Sequence, residues 1–221
     1  IKVDTGAKDF SCHANEKITE GLDNLSQRME DYKSIGAKFA KWRAVITIGE
    51  KIPSLACMVS NSHALARYAS ICQEVDIVPI VEPEVLMDGS HDIKKCFEVT
   101  NEMQSTLFEE LDKLNIINSG IILKPNMVTP GSTCEKKASA EEIAESTVMC
   151  LGNNIPKDVP GIAFLSGGQS DQDASNNLNF INKINDNPWK LTFSYGRALQ
   201  LEAMKKWQGN NDNKEEKYLE I

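Results

Sequence analysis

The sequence predicts a parallel α/β fold of the TIM (β/α)8 barrel type, on three observations. Apolar runs alternate with helical periodicity, each run ends in charged or polar residues, and no glycine fingerprint marks a single ligand crevice. Strands covered on both faces read as continuous hydrophobic stretches, and these recur at 1–4, 38–46, 77–84, 120–127, 161–167 and 191–196. An open doubly wound sheet gathers its ligand contacts at one switch point, whereas a barrel draws on every strand end. Here the ends carry Lys2 and Asp4, Lys41 and Arg43, Glu82 and Glu84, Lys124, Ser166 and Gln169, then Ser194 and Arg197.

The helices are set by the spacing between the runs. Helical segments are expected at 18–33, 60–73, 92–114, 140–151, 171–184 and 197–207. In the third, Ile93, Phe97, Met103, Leu107, Leu111 and Leu114 form a one-sided apolar stripe. Ser139 with Glu142 reads as a capping box opening the fourth. The domain reading is a partial barrel over 1–207 and a polar, Asn/Lys/Glu-rich tail over 208–221.

Composition narrows the function. A net charge of -8 and a pI near 5.0 oppose an extended nucleic-acid or anionic-membrane footprint. No apolar stretch approaches the ~18–20 residues of a membrane span, and no charged leader is visible, so a cytoplasmic protein is expected. The six cysteines include no Cys-x-x-Cys pair and the three histidines are isolated, so no metal site is expected.

Lys124 is the unusual residue. It ends the apolar strand Ile121-Ile122-Leu123, where a buried cation is costly unless paired or neutralised. Either it snorkels to water, or its amine is kept uncharged and attacks carbonyls. Strand alternation projects Lys41 with Arg43, Glu82 with Glu84 and Lys2 with Asp4, so cations and carboxylates on one face are able to satisfy one another. That network is either structural or catalytic. Leu165-Ser166-Gly167-Gly168 then sets two glycines between a strand and a helix, and Ser194-Tyr195-Gly196-Arg197 adds a third glycine and a guanidinium. Backbone amides and a bidentate arginine at the last two strands suit a phosphate, which in such barrels sits after strands seven and eight. The visible strands are then the third to eighth, and a partial chain without the first two units is expected.

The strings KFAKWRAVI at 38–46, LARYASICQ at 65–73, IVPIVEPE at 77–84, LKPNMVTPG at 123–131, FLSGGQS at 164–170 and LTFSYGRALQ at 191–200 resemble class I fructose-bisphosphate aldolase, the metal-independent Schiff-base type. The resemblance covers residue 1 to about residue 207. It implies a lyase that reversibly cleaves fructose 1,6-bisphosphate to dihydroxyacetone phosphate and glyceraldehyde 3-phosphate, in glycolysis and gluconeogenesis. Lys124 would be the Schiff-base nucleophile, Glu82 the general acid/base with Glu84 beside it, and Lys41 a charged neighbour of the nucleophile. Lys2 and Arg43 match the end of the site that binds the second phosphate, and Ser166, Gly167, Gly196 and Arg197 match the pocket for the first. No cofactor and a homotetramer are also implied.

The departures leave alternatives open. An aspartate on the family's first strand and a tyrosine ending its C-terminal arm have no counterpart here. One alternative is a catalytically silent fragment that keeps only sugar-phosphate or protein-partner contacts. Another is a different lysine-imine enzyme, transaldolase-like or deoxyribose-phosphate aldolase-like, against which Lys2 and Arg43 argue by serving a second phosphate end.

Overall fold

The computed structural model describes residues 1–184 and 187–210, with Arg197 and Ala198 described in their backbone alone. Five parallel strands form its sheet: β3 (Phe39–Ile46), β4 (Val78–Val85), β5 (Ile122–Leu123), β6 (Gly161–Phe164) and β7 (Lys190–Phe193), in that spatial order. Each is followed by a helix: α2 (Leu55–Glu74), α3 (Ile93–Lys113), α4 (Ala140–Asn154), α5 (Asp171–Lys183) and α6 (Arg197–Trp207). Strand order equal to sequence order, with a helix after every strand, is the winding of a (β/α) barrel; a doubly wound sheet reverses direction at its switch point. Residues 1–4 extend the same series: Lys2 forms a parallel bridge with Lys41, and Val3 N–H and Lys41 N–H donate to Lys41 O and Ile1 O at 3.0 and 2.8 Å.

One expected helix is substantially different. In place of a helix over 18–33 there is an antiparallel hairpin, β1 (Gly6–Asp9) with β2 (Lys17–Glu20), followed by a shorter helix α1 (Leu25–Ser34). Long-range bonds take Ile18-Thr19 out of helical geometry: Thr19 N–H donates to Asn61 Oδ1 at 3.1 Å and Thr19 Oγ1 to Arg43 O at 2.8 Å. Gly21 then turns the chain at φ +130°, where a Cβ would lie 2.9 Å from Thr5 N, so a side chain there meets both strain and backbone.

Helices α2 to α5 begin where side-chain acceptors meet the first free amides. Ser54 Oγ accepts from Cys57 N–H at 3.1 Å, Asp92 Oδ1 from Lys95 N–H at 2.8 Å, and Ser170 Oγ from Asp173 N–H at 3.1 Å. The capping box is complete, with Ser139 N–H bonded to Glu142 Oε2 at 2.9 Å and Glu142 N–H to Ser139 Oγ at 3.2 Å. The polar segment expected as a tail begins as α6 ends at Trp207, and its residues 211–221 lie outside the described residues.

The two faces of the sheet differ in what they bury. On β3, Ala40, Trp42 and Ala44 are fully buried, and Trp42 stacks on Tyr68 of α2 with ring centroids 5.6 Å apart. Lys41 and Arg43 alternate with these residues and project to the opposite face, away from the helix. On β4, Val81 is core while Glu82 and Glu84 share the parity of Ile80. Helix packing thus fixes which face receives the charges.

Candidate active site

The in-register pairing of β3 with β4 sets Arg43 opposite Glu82 and Val45 opposite Glu84, which brings the cations of one strand within reach of the carboxylates of the next. Lys41 Nζ meets Glu82 Oε2 at 2.8 Å, and Arg43 Nε donates to Glu84 Oε2. Lys124 follows directly on β5, its backbone N–H donating to Val81 O at 2.7 Å. That bond carries its ammonium to 3.2 Å from the second oxygen of Glu82. Glu82 therefore bridges two amines.

Burial gives this bridge its importance. The Glu82 side chain is 4% exposed and that of Lys124 11%, so charges there are largely stripped of water and must satisfy each other. The alternative in which Lys124 snorkels to water does not hold, because its amine turns inward to Glu82. At Arg43, burial opposes the charge, but the hydrogen bond to Glu84 and the fields of Glu84, Glu82 and Asp4 outweigh it and raise the guanidinium above its ordinary value.

Lys2 lies at the edge of the same face. Its ammonium bonds the Asp4 carboxylate at 2.5 Å and the Asp4 carbonyl at 3.0 Å. The Arg43 backbone N–H donates to the other Asp4 oxygen at 3.2 Å, tying this pair to β3. Lys2, Lys41, Arg43, Lys124, Glu82 and Glu84 are thus assembled around adjoining strand tips.

The loop after β6 supplies Ser166 and Gly167. Leu165 N–H donates to Pro125 O at 3.1 Å, linking this loop to the residue after Lys124. Gly167 and Gly168 have φ values of +61° and +94°, a left-handed pair that glycine adopts without strain and that leads into α5. Ser166 and Gly167 border a crevice shared with Val85, Asn126 and Met127, with room for little more than a water. Gly196 caps the first turn of α6, whose first residue is Arg197; the Arg197 side chain lies outside the described residues. Gly196 and Ser194 are placed after β7, with Ser194 N–H donating to Phe164 O at 2.8 Å. Among the described residues, no three His, Cys, Asp or Glu side chains gather as metal ligands would.

Sequence reasoning missed the residue that locks two of these strand tips together. Asn126 is buried, accepts from Val85 N–H at 3.0 Å and donates to Thr100 Oγ1 and Met127 O, both at 3.1 Å. It joins the ends of the Glu84 and Lys124 strands to α3. A buried amide two residues beyond Lys124 was the available signal, since such a group needs several partners.

The sequence pattern of the family described as fructose-bisphosphate aldolase class-I matches residues 1–220. The probable fructose-bisphosphate aldolase class 1 of Xanthomonas axonopodis pv. citri (strain 306) is 55% identical over 207 residues, covering 94% of this chain and 62% of that protein. Human fructose-bisphosphate aldolase C is 51% identical over 214 residues, 96% of this chain and 59% of its own. The chain therefore spans about 60% of the length of these curated relatives. A solved structure of fructose-bisphosphate aldolase from Plasmodium falciparum, in complex with TRAP and a small molecule inhibitor, superposes with a TM-score of 0.94 at 46% identity. That match covers 96% of this chain and 62% of the other.

Proposed function

The chain belongs to the class I fructose-bisphosphate aldolase family, and from that premise we propose that it serves the reversible cleavage of fructose 1,6-bisphosphate into dihydroxyacetone phosphate and glyceraldehyde 3-phosphate through an imine on Lys124. The observation that supports this best is the Glu82 carboxylate held between Lys124 at 3.2 Å and Lys41 at 2.8 Å. An amine beside a proton carrier is the arrangement that imine chemistry needs.

These positions order the steps. Lys124 passes one proton to Glu82, the resulting uncharged amine attacks the ketone carbon, and proton transfer within the adduct gives a carbinolamine. Glu82, protonated, gives its proton to the departing hydroxyl, so that one water leaves and a protonated imine remains. The same carboxylate, now ionised, takes the proton of the C4 hydroxyl. The electrons of the C3–C4 bond flow into the imine, giving an enamine and releasing the aldehyde. Returning that proton to C3 and adding water frees dihydroxyacetone phosphate and restores the amine, and the proton released by the hydrolysis goes back to Glu82. Lys41, on the far oxygen of Glu82, offsets the charge of the carboxylate in the steps where it is ionised.

Lys2 and Arg43 are assigned to one phosphate, and Ser166, Gly167, Gly196 and Arg197 to the other, with Glu84 fixing the Arg43 guanidinium. Anchoring both ends turns binding energy into alignment of the carbonyl with Lys124. A homotetramer in the cytoplasm is the assembly and compartment that family membership suggests; light scattering of the purified protein tests the first. The activity itself is tested by coupled assay of bisphosphate cleavage. The Lys124→Ala variant should lose turnover while remaining folded, and full activity in that variant would remove the proposed mechanism.

A further inference from the structure

We infer that Asp4 is a positioning residue, presetting Lys2 and the Arg43 strand tip to receive the second phosphate group; this rests on the aldolase reading above. Asp4 lies where its charge is costly and where electrostatics alone argues against it. Its side chain is 2% exposed, and a carboxylate beside a phosphate site repels the ligand. Both of its oxygens are nevertheless fully engaged: Oδ1 accepts from Lys2 Nζ at 2.5 Å and Gly6 N–H at 3.0 Å, and Oδ2 from Arg43 N–H at 3.2 Å.

The geometry leaves Lys2 poised. An ammonium has three protons, and Asp4 takes two of them through its carboxylate and its carbonyl. The Lys2 side chain is 52% exposed, so the third proton remains for an anion at the open face. The same carboxylate holds the backbone of Arg43, whose side chain is steadied by Glu84. One buried acid thus sets the separation of two cations borne by neighbouring strand tips. Such a fixed pair recognises a phosphate with little reorganisation, whereas a free lysine must be ordered as the ligand binds.

The two views of Asp4 predict opposite signs. If only net charge matters, Asp4→Asn makes the site more positive and tightens phosphate binding. The positioning role predicts that kcat/KM for fructose 1,6-bisphosphate falls by about tenfold, mostly through KM. Fructose 1-phosphate, which lacks the second phosphate, should lose much less, so the ratio between the two substrates falls. In a cycle with Lys2→Met, the loss toward the bisphosphate in the double variant should be clearly smaller than the sum of the two single losses, because Asp4 acts partly through Lys2 and partly through the Arg43 strand tip. A lower KM in Asp4→Asn, an equal loss on both substrates, or additive effects in the cycle would overturn the inference. If Asp4→Asn does not fold, Asp4→Ser, whose hydroxyl keeps an acceptor for Gly6 N–H, enters the same comparison. Failure of the unsubstituted protein to cleave either substrate would sink the aldolase reading, and this inference with it. Normal cleavage with an unchanged substrate ratio would sink the inference alone.

Discussion

Replacing Glu82 by Gln removes one charge while keeping shape, and two energetic losses are expected from the contacts it makes. The carboxylate accepts from two ammonium groups, at 3.2 Å from Lys124 and 2.8 Å from Lys41. Glutamine retains an acceptor for one of them but turns an amide donor toward the other. Leaving a buried cation without its counter-charge costs about 3–5 kcal/mol, and the partial exposure of Lys41 places this case near the lower figure, about 3 kcal/mol. The chemical loss is separate: a side chain that carries protons is worth roughly 10²–10⁴ in rate, or about 3–5 kcal/mol of barrier. Denaturant unfolding measures the first quantity. Rapid-quench borohydride trapping with dihydroxyacetone phosphate measures the second, as the rate of imine formation. Imine formation slowed by less than about threefold in a folded Glu82→Gln variant would rule out the assignment of proton transfer to this carboxylate.

Three further outcomes are expected. Asn126→Ala should leave the Val85 N–H without its buried acceptor and lower unfolding stability by about 2–3 kcal/mol, read from the urea midpoint at unchanged slope. Glu110 is held below its ordinary value of 4.5, first by the hydrogen bond from Lys113 and then by that from His63, against the effect of burial. Its stabilisation is therefore complete above that value and lost as pH falls through the lower folded one, so Glu110→Gln should flatten the acid side of the stability profile below about pH 4.5, as read from urea unfolding across that range. Burial pushes the Cys57 thiol up to about 11 and those of Cys72 and Cys150 to about 12, whereas Cys12 is exposed. Alkylation at pH 8 followed by peptide mapping should label Cys12 first and these three only on unfolding.

Much of the site was legible because a strand has a strict side-chain period. Once 38–46 and 77–84 are read as strands, alternation alone puts Lys41 with Arg43 and Glu82 with Glu84, and the expected mutual satisfaction of cations and carboxylates is met by the Lys41–Glu82 and Arg43–Glu84 pairs. Ser139 and Glu142 were equally readable, since a capping box is local. What escaped depended on partners distant in sequence. Thr19 gives no local sign that Asn61 and the Arg43 carbonyl will hold it in a strand, so its neighbourhood reads as helix. Asp4 is visibly a strand-tip acid, but its hold on the Arg43 backbone spans a separation that no local pattern encodes. The bridging of Lys124 and Lys41 through one carboxylate likewise needs the register of three strands.

The proposed chemistry turns on condensation of the Lys124 amine with the ketone. Borohydride reduction of the protein with dihydroxyacetone phosphate, followed by proteolysis and tandem mass spectrometry, locates the reduced adduct. One modified lysine is expected, in the peptide containing Lys124-Pro125-Asn126, and no adduct in Lys124→Ala. Modification of Lys41 or Lys2 instead, or no adduct in an actively cleaving protein, would be incompatible with an imine on Lys124.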